Sequence, residues 1–342
     1  MKQITELTWQ VPEEEYRQSK ALHYSTLSRY AKEGFKGIPH LFDKVESPAL
    51  TFGSMVDTYL TDGIEEFNKQ FAVYDIPTIP VPVQNIVKAM YEENKLKSFD
   101  AIPDAMLLEY CKRFDYCTKF KPETQLRNIK AKGKTYYDIL TVGTGKTIVD
   151  LNTYNAVMQV INTLQASDTT KWYFHNNPFE EKVQKYYQPK FKATLQGIEY
   201  TCMFDILIVN YDTKQIMPCD LKTTGKAEYE FFKSFIEWNY QIQARLYTRI
   251  LQEVIRKDEY FKDFEILPFR FIVVNKVKPN PMVWTYEDTF KYGTLYYGKS
   301  KQIECKDPEE LGKELSTYLN GEYTIPVGMS SKNELTQYLQ VL

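Results

Sequence analysis

The chain has 342 residues and a formal net charge of −2, with 43% apolar, 26% charged and 15% aromatic residues. This composition allows a sizeable core and excludes a strong overall field toward an anionic partner, so a nucleic-acid role would require a local basic surface. No stretch approaches the ~18 apolar residues of a membrane span, and residues 1–20 lack the apolar segment of a signal peptide. We therefore expect a soluble protein that stays in the cytoplasm.

The first half of the chain is predicted to be mainly helical. Apolar residues recur at helical spacing in residues 24–35 and 47–63, and residues 151–165 form a good amphipathic pattern. Residues 71–84 contain three prolines and are therefore predicted to be extended or loop. The residues that follow are charged and mostly helical in pattern. We interpret residues 71–150 as an insertion of helix and loop, or a lid, within one domain.

From about residue 183 the apolar pattern changes to a period of two, which is typical of antiparallel strands. Turns are predicted at Gly197 and in the sequence NYDTKQ. A long helix over residues 227–251, a strand over 267–276 and a final helix over 308–319 follow. The elements predict one α/β domain over residues 1–342, with a helical N-terminal half.

The sequence VGTGKT, residues 142–147, resembles part of a phosphate-binding P-loop. The complete motif needs a glycine five residues before Gly145, and Leu140 occupies that position. The preceding segment is also not a clean apolar strand. We interpret this stretch as a glycine-rich turn before a helix.

The sequence QIMPCDLKTT, residues 215–224, carries the strongest signal for chemistry, because an apolar strand ends in a carboxylate and a lysine. If the preceding turn is centred between the aspartate and the threonine of NYDTKQ, Asp205 faces Asp220 across the hairpin. Side chains alternate along a strand, so Asp220 and Lys222 share one face. Two carboxylates and one ammonium are thus predicted to converge on a small patch, provided that the turn has no one-residue asymmetry.

Facing carboxylates repel each other unless a shared proton or a bound divalent cation neutralises them. Oxygen ligands suit Mg²⁺ or Mn²⁺, and a neighbouring lysine would lie beside the metal-bound water or a substrate phosphate. This combination favours phosphodiester hydrolysis. The alternative is an ordinary surface salt bridge, because the same acid–x–lysine spacing at Glu93, Glu180 and Asp212 is expected to be solvated charge.

The predicted helix after the strand adds Gln243 and Tyr247, which share a face at i and i+4. They could hold the lysine, the water or a phosphate oxygen; alternatively, the tyrosine packs in the core and the glutamine is incidental. Two basic stretches, residues 127–134 and 188–195, could contact backbone phosphates. For residues 127–134 a solvated charged face is the favoured interpretation.

In chain order, these residues resemble the PD-(D/E)XK nuclease superfamily, and within it the RecB/RecE-like branch that includes phage exodeoxyribonuclease VIII-like proteins. The resemblance lies in Asp205, the sequence DLKTT from Asp220 onward, and the Q-x-x-x-Y spacing on the next helix. YSTLSRY and PALTFGSMVDTYL resemble the serine-led helix and the F-G-x-x-x-H segment of the family. The resemblance covers residues 22–70 and 150–275.

The resemblance implies a restriction-endonuclease-like core, in which helices flank a mixed central sheet, and a metal site. Asp57, Asp205 and Asp220 are implied to bind Mg²⁺ or Mn²⁺, with the backbone carbonyl of Leu221 completing the shell. Asp57 stands where the family usually has a histidine. The alternative for Asp57 is a polar residue on a helix face.

The resemblance also implies the roles of the remaining groups. Lys222 is implied to orient or activate the attacking water and to offset charge on the scissile phosphate, with Gln243 and Tyr247 supporting the lysine and the substrate. Some members have a catalytic glutamate before the core strands, a place that Glu180 or Glu181 could fill.

Relatives with an iron–sulfur cluster carry four cysteines, three of them after the Q-x-x-x-Y motif. This chain has five cysteines without CxxC spacing, and Cys305 alone follows the motif, so we expect reduced thiols and no iron–sulfur cluster.

The expected function is that of a Mg²⁺-dependent exonuclease that hydrolyses linear, double-stranded DNA in recombination or repair, of the phage type. An endonuclease, or a catalytically degenerate DNA-binding or interaction protein of the same fold, is the alternative. The implied partners are DNA, a single-strand annealing protein and further copies of the chain in a ring, with no membrane. The implied location is the cytoplasm, that of a bacterial host if the protein is phage-encoded.

Overall fold

The fold is given by a computed structural model, which describes residues 2–43, 45–75, 79–94, 98–142, 145–175, 181–297 and 301–321. The helices are α1 (Glu13–Gln18), α2 (Tyr24–Glu33), α3 (Pro48–Thr61), α4 (Gly63–Gln70), α5 (Val81–Asn94), α6 (Asp104–Arg113), α7 (Pro122–Val142), α8 (Leu151–Ala166), α9 (Lys171–Phe174), α10 (Phe231–Glu237), α11 (Tyr240–Arg256) and α12 (Pro308–Leu319). The strands are β1 (Phe71–Tyr74), β2 (Thr147–Asp150), β3 (Val183–Tyr187), β4 (Lys190–Leu195), β5 (Ile198–Met203), β6 (Ile206–Asn210), β7 (Gln215–Thr224), β8 (Glu265–Ile266), β9 (Phe269–Asn275), β10 (Met282–Tyr286), β11 (Phe290–Lys291), β12 (Thr294–Tyr297) and β13 (Lys301–Glu304). The fold is thus mixed α/β, and no helix in these described ranges is long and apolar enough to cross a membrane.

The chain divides into two compact units. The first unit consists of Met1–Gly53 and Asn162–Leu342, and the second of Ser54–Ile161. The second unit is therefore inserted between two parts of the first, and its bounds enclose the segment 71–150 that the sequence predicts as an insertion. A lid function for that segment stays a prediction.

A mixed sheet forms the centre of the first unit. Its strand order is β10-β9-β7-β6-β3, and β8 also pairs with β7. β7 is the middle strand of this order, and it runs antiparallel to β6 and parallel to β9. Pro218 lies within β7, between the residues that pair with β8 and those that pair with β9. A proline, which lacks an N–H donor, is tolerated there because no ladder bond is needed on that side.

Helix α11 packs against the β4–β5 hairpin and α2, where its apolar face joins the aromatic core of the first unit. At the hairpin, β5 also packs against α12 around Tyr200. A Cβ atom at Gly312 would lie 1.9 Å from the Tyr200 hydroxyl oxygen, so only glycine lets α12 approach this closely. The α12 helix begins at Pro308 after Asp307, whose side chain accepts a hydrogen bond from the Glu309 N–H.

The second unit has its own core, built mainly from α5, α6 and α7. Val83, Ile86 and Met90 of α5 pack there with Leu107 of α6 and Ile129 of α7. β1 and β2 of this unit form a separate parallel pair. A separate hydrophobic core is typical of a part of the chain that packs independently.

Several local predictions are wrong. The segment 227–251 is not one helix, because α10 and α11 are separated at Trp238 and Asn239, and Asn239 takes the left-handed conformation (φ 55°). Residues 71–84 are extended in strand β1, as predicted, but they also contain the start of α5, since a proline in the first helical turn lacks only a donor that would stay unpaired. Residues 76–78 lie outside the described part.

The P-loop-like stretch leads into strand β2 and not directly into the predicted helix, since α8 begins only at Leu151. Residues 143–144 of the stretch lie outside the described residues. The strands β10 to β13 were not predicted, since their alternation is short and carries many polar residues. The predicted strand over 267–276 and the final helix over 308–319 are confirmed as β9 and α12.

Candidate active site at the end of strand β7

The β6–β7 hairpin has the register that the sequence predicts. Ile206 pairs with Cys219 and Asn210 pairs with Gln215, so the turn is symmetric. Asp205 immediately precedes β6, and the next step of the same register sets it opposite Asp220. β7 has ten residues and β6 only five, so residues 220–224 extend beyond the end of β6 and do not pair with it. We call the space beside residues 220–224, on the β6 side of β7, the notch.

Asp205 fills part of this notch with its side chain. Its Oδ2 accepts a hydrogen bond of 2.6 Å from the Leu221 backbone N–H. A carboxylate thus takes the place of the strand carbonyl that would otherwise satisfy this donor. The contact fixes Asp205 beside the segment that carries Asp220 and Lys222.

Asp220 is almost completely buried, with 3% of its surface exposed. Its Oδ2 lies 2.7 Å from Lys222 Nζ, and its Oδ1 accepts a hydrogen bond of 2.5 Å from Gln243 Nε2. The structure therefore brings the aspartate, the lysine and the glutamine together. Gln243 is itself buried, and its Oε1 has no hydrogen-bond partner within the described part of the chain.

Lys222 is enclosed by aromatic rings as well as by acids. Its Nζ lies 4.6 Å from the ring centroid of Tyr240, a cation–π contact. Burial lowers the pKa of Lys222, but the negative charges of Asp220 and Asp205 and the tyrosines Tyr240 and Tyr24 outweigh burial, so the pKa is raised. Lys222 is therefore an ammonium at neutral pH, suited to holding negative charge and not to accepting a proton.

Tyr240 was not among the residues that sequence reasoning selected. It begins α11, one turn before Gln243, and its ring stacks on Phe231 at 5.7 Å. The Y-Q-I-Q pattern offers a signal in hindsight, because Tyr240, Gln243 and Tyr247 follow i, i+3 and i+7 spacing on one helix face. Burial, above all, raises the pKa of Tyr240, so the phenol stays neutral.

Tyr247 lies in the core rather than in contact with the Lys222 ammonium. Its ring packs edge-on against Phe204 at 5.3 Å and Phe269 at 6.4 Å. Burial raises its pKa well above the ordinary value, with smaller effects from Asp220 and Asp205 nearby. These contacts are the ones expected if Tyr247 packs in the core. Its direct support of Lys222 stays a prediction.

The two threonines after Lys222 complete the strand. Thr224 Oγ1 accepts a hydrogen bond from the Lys226 N–H, which turns the chain. Thr223 Oγ1 lies 3.4 Å from the position of a Cβ at Gly53, the glycine of the F-G segment. A Cβ at this distance would be in van der Waals contact with the threonine, so β7 and the start of α3 pack closely here.

The remaining predicted site residues are Asp57 and the two glutamates before the core strands. Asp57 is half-buried on α3 in the second unit, and its part in a metal site with Asp205 and Asp220 stays a prediction. Glu180 lies outside the described residues, and Glu181 is exposed.

The basic stretches pair with acids. Lys130 in the 127–134 stretch lies 2.5 Å from Asp104, and Lys192 in the 188–195 stretch lies 2.9 Å from Glu199. Such exposed pairs fit a solvated charged face.

The donor set at the end of β7 suits a hard cation in its chemistry, since it offers carboxylate oxygens and an unpartnered amide oxygen. In the part of the chain that the structure describes, however, no group of three or more His, Cys, Asp or Glu side chains is placed to hold a metal ion. Asp205 and Asp220 alone form a two-carboxylate site that needs further ligands from water, backbone or another side chain.

Comparisons with known proteins give little beyond this geometry. No protein-family model and no curated protein matches the chain. Among solved structures, it is similar to a protein from Eubacterium rectale described as a "Putative exonuclease", with 13% sequence identity and a TM-score of 0.46 over 98% of this chain and 95% of that one. A similarity this distant does not decide the function.

Proposed function

We propose that the protein is a Mg²⁺- or Mn²⁺-dependent deoxyribonuclease, an exonuclease that hydrolyses phosphodiester bonds of linear DNA from an end. The proposal includes a PD-(D/E)XK core, with β7 as the strand that carries the motif. It rests on the residues at the end of β7 and not on any named relative.

One observation carries the proposal. Asp220 and Lys222 are in contact at 2.7 Å in a notch where Asp205 also binds, so two acids and one base share a site that is largely removed from water. Asp205 and Asp220 bring two sets of hard oxygen donors to adjacent points of the strand ladder. Carboxylates brought together in this way repel each other, and a divalent cation is the ligand that would offset the repulsion.

The chain's own residues then have separate tasks. Asp205 and Asp220, with Asp57 from the second unit, would hold the cation, which when bound would lower the pKa of a water and offset phosphate charge. Lys222 holds a positive charge where negative charge develops on the scissile phosphate. Gln243 orients the Asp220 carboxylate through its Nε2 hydrogen bond, and Tyr240 confines the Lys222 ammonium.

The proposal also covers the partners and the cellular setting. DNA is the partner on which the chemistry acts, and recombination or repair of phage type in the cytoplasm is the setting. A ring of several copies and a single-strand annealing protein as partner are further parts of the proposal. The oligomeric state can be measured directly by light scattering at assay concentration.

The test is nucleotide release from purified protein with linear duplex DNA and Mg²⁺, with and without EDTA. We expect release that EDTA stops, and no release from Lys222→Ala, which removes the ammonium. The matched control is Lys182→Ala, because Lys182 also follows an acid by two residues but lies in an exposed pair with Asp212. This control should keep the wild-type rate.

Because Lys222→Ala leaves Asp220 buried without its partner, its folding must be checked by circular dichroism, and Lys222→Met serves as a second variant of similar length. Release of nucleotides by folded Lys222→Ala and Lys222→Met at the wild-type rate would contradict the proposal. Cleavage of closed circular duplex would identify an endonuclease instead.

A degenerate DNA-binding protein is the second candidate. The observation that favours it is the lack of a three-ligand metal group within the described ranges. Tight DNA binding without any Mg²⁺-dependent release would establish this second function.

A further inference from the structure

Trp238 is an exposed aromatic residue beside the candidate active site. It lies between α10 and α11, two residues before Tyr240, and 47% of its surface is exposed. A half-exposed indole beside the site presents a flat ring face to solvent, and a nucleic-acid base can stack on such a face.

The backbone at Trp238 is held in place. The Trp238 carbonyl accepts hydrogen bonds from the Tyr24 hydroxyl at 2.6 Å and the Ser28 hydroxyl at 2.9 Å, both from α2. The next residue, Asn239, has a left-handed conformation that fixes the break between the helices. The ring is therefore presented on a rigid support, with its rotamer as the main remaining freedom.

Tyr24 and Tyr240 connect this ring to the catalytic lysine. The Tyr24 and Tyr240 ring centroids are 6.1 Å apart, and Tyr240 lies over Lys222. Since Trp238 and Tyr240 are two residues apart, their Cα atoms are separated by at most about 7 Å. Phosphates along one DNA strand are spaced about 3.4 Å apart along the helix axis. The ring is thus within a few nucleotides of a phosphate at Lys222.

The charges around Trp238 suit a nucleic-acid strand. Lys32 Nζ lies 4.5 Å from the indole centroid, and Lys226 lies 2.6 Å from Glu237. Lys32 therefore places a positive charge directly against the ring, whereas Lys226 and Glu237 balance each other. An aromatic platform with a neighbouring cation is the combination by which proteins bind single strands without reading their sequence.

We propose that Trp238 stacks on an unpaired base of the DNA strand that is being cleaved, next to the scissile phosphate, with Lys32 beside the strand's backbone. The inference rests on the proposed function in taking DNA as the ligand. It adds that the strand enters the site unpaired, which a duplex end can supply by fraying.

The test measures binding without hydrolysis. A 12-nucleotide dT oligonucleotide with a fluorescent label is titrated with protein in EDTA, and anisotropy gives the Kd. A matching oligonucleotide of abasic sites has the same phosphates and no bases. We expect the wild type to bind dT about tenfold more tightly than the abasic strand, within the range that base–aromatic stacking supplies per base.

Trp238→Ala should lose that tenfold advantage and bind the abasic strand as the wild type does. Trp238→Phe should keep part of it. The control is Tyr292→Ala, since Tyr292 is a fully exposed aromatic residue in the turn between β11 and β12. Its Kd should not change.

Equal binding of dT by wild type and Trp238→Ala, or no preference of the wild type for bases, would overturn the inference. So would a lack of binding to either strand. The outcome is separable from that of the nuclease assay: dT binding that needs Trp238 without hydrolysis would refute the proposed function alone, and hydrolysis with dT binding indifferent to Trp238 would refute this inference alone.

Discussion

Two charge clusters lie on opposite sides of helix α11, and they differ in how far their carboxylates are exposed to water. At the end of β7, Lys222 pairs with Asp220, and Asp205 lies beside them. On the other side, Arg245 and Arg249 pair with three acids. Those acids are Asp288, Asp307 and Glu309.

The two clusters differ in burial. In the arginine cluster, Asp288 is half-exposed, so water solvates its carboxylate. At the end of β7, Asp220 is almost fully buried, and the Gln243 side chain donates to it. In the proposed function, the buried carboxylates would hold a cation, whereas the half-exposed cluster is structural.

The largest expected effect is on catalysis by Asp220→Asn. The substitution keeps the shape of the side chain but removes the buried negative charge, so we expect nucleotide release in Mg²⁺ to fall by about 10³-fold. Initial rates on linear duplex DNA measure it. Asp288→Asn is the control in the other cluster and should keep the wild-type rate. A rate within about threefold of wild type for Asp220→Asn would remove the distinction between the clusters.

Arg245→Met tests the arginine cluster in the opposite way. It leaves Asp307 without one of its partners, so we expect the free energy of unfolding to fall by about 3 kcal/mol. Urea denaturation followed by circular dichroism measures this. DNA hydrolysis per folded molecule should stay unchanged. Arg256→Met on the same helix breaks only an exposed pair with Glu253 and should cost under about 1 kcal/mol. Similar losses for both variants would show that the cluster is not a structural clamp.

Tyr240→Leu should have a smaller effect on catalysis. It removes the ring beside Lys222, and a cation–π contact contributes about 1 kcal/mol, or about a fivefold change in rate. The expected change is in kcat on linear duplex DNA, since the ammonium loses its position. Tyr240→Phe retains the ring and should behave as the wild type. If Tyr240→Phe is as slow as Tyr240→Leu, the hydroxyl and not the ring is what matters.

The smallest expected effect is on acid stability. Burial raises the pKa of Asp307, but hydrogen bonds from Arg249 and the Glu309 N–H and the arginine charges lower it more, so the net shift is downward. A depressed folded-state pKa gives stability that is present above the unfolded value of about 3.9 and is lost as the pH falls below it. Asp307→Asn should therefore flatten the loss of Tm below about pH 4. An unchanged slope would contradict this.

The sequence was sufficient for the core of the site because β-strand alternation is strict. Side chains two residues apart share a face, which places Asp220 beside Lys222, and a symmetric turn fixes Asp205 opposite Asp220. The fold class, the hairpin and the helix at 308–319 follow from similar local rules. These inferences use only spacing.

Contacts that depend on helix packing were not accessible in the same way. Helix α11 begins anew after the left-handed Asn239, with Tyr240 over Lys222 and with Trp238 exposed in the break. A sequence period does not reveal one left-handed residue inside a helical pattern. For the same reason, the contact of Gln243 with the aspartate rather than the lysine required the structure. The relation of Asp57 to the other acids stays a prediction.

The most direct test of the central claim is calorimetric titration of the protein with Mn²⁺. The proposed cation site at Asp205 and Asp220 predicts saturable binding in the wild type, its loss in Asp220→Asn, and its retention in Asp288→Asn. Binding that is absent from the wild type, or that persists unchanged in Asp220→Asn, would contradict the assignment of this site.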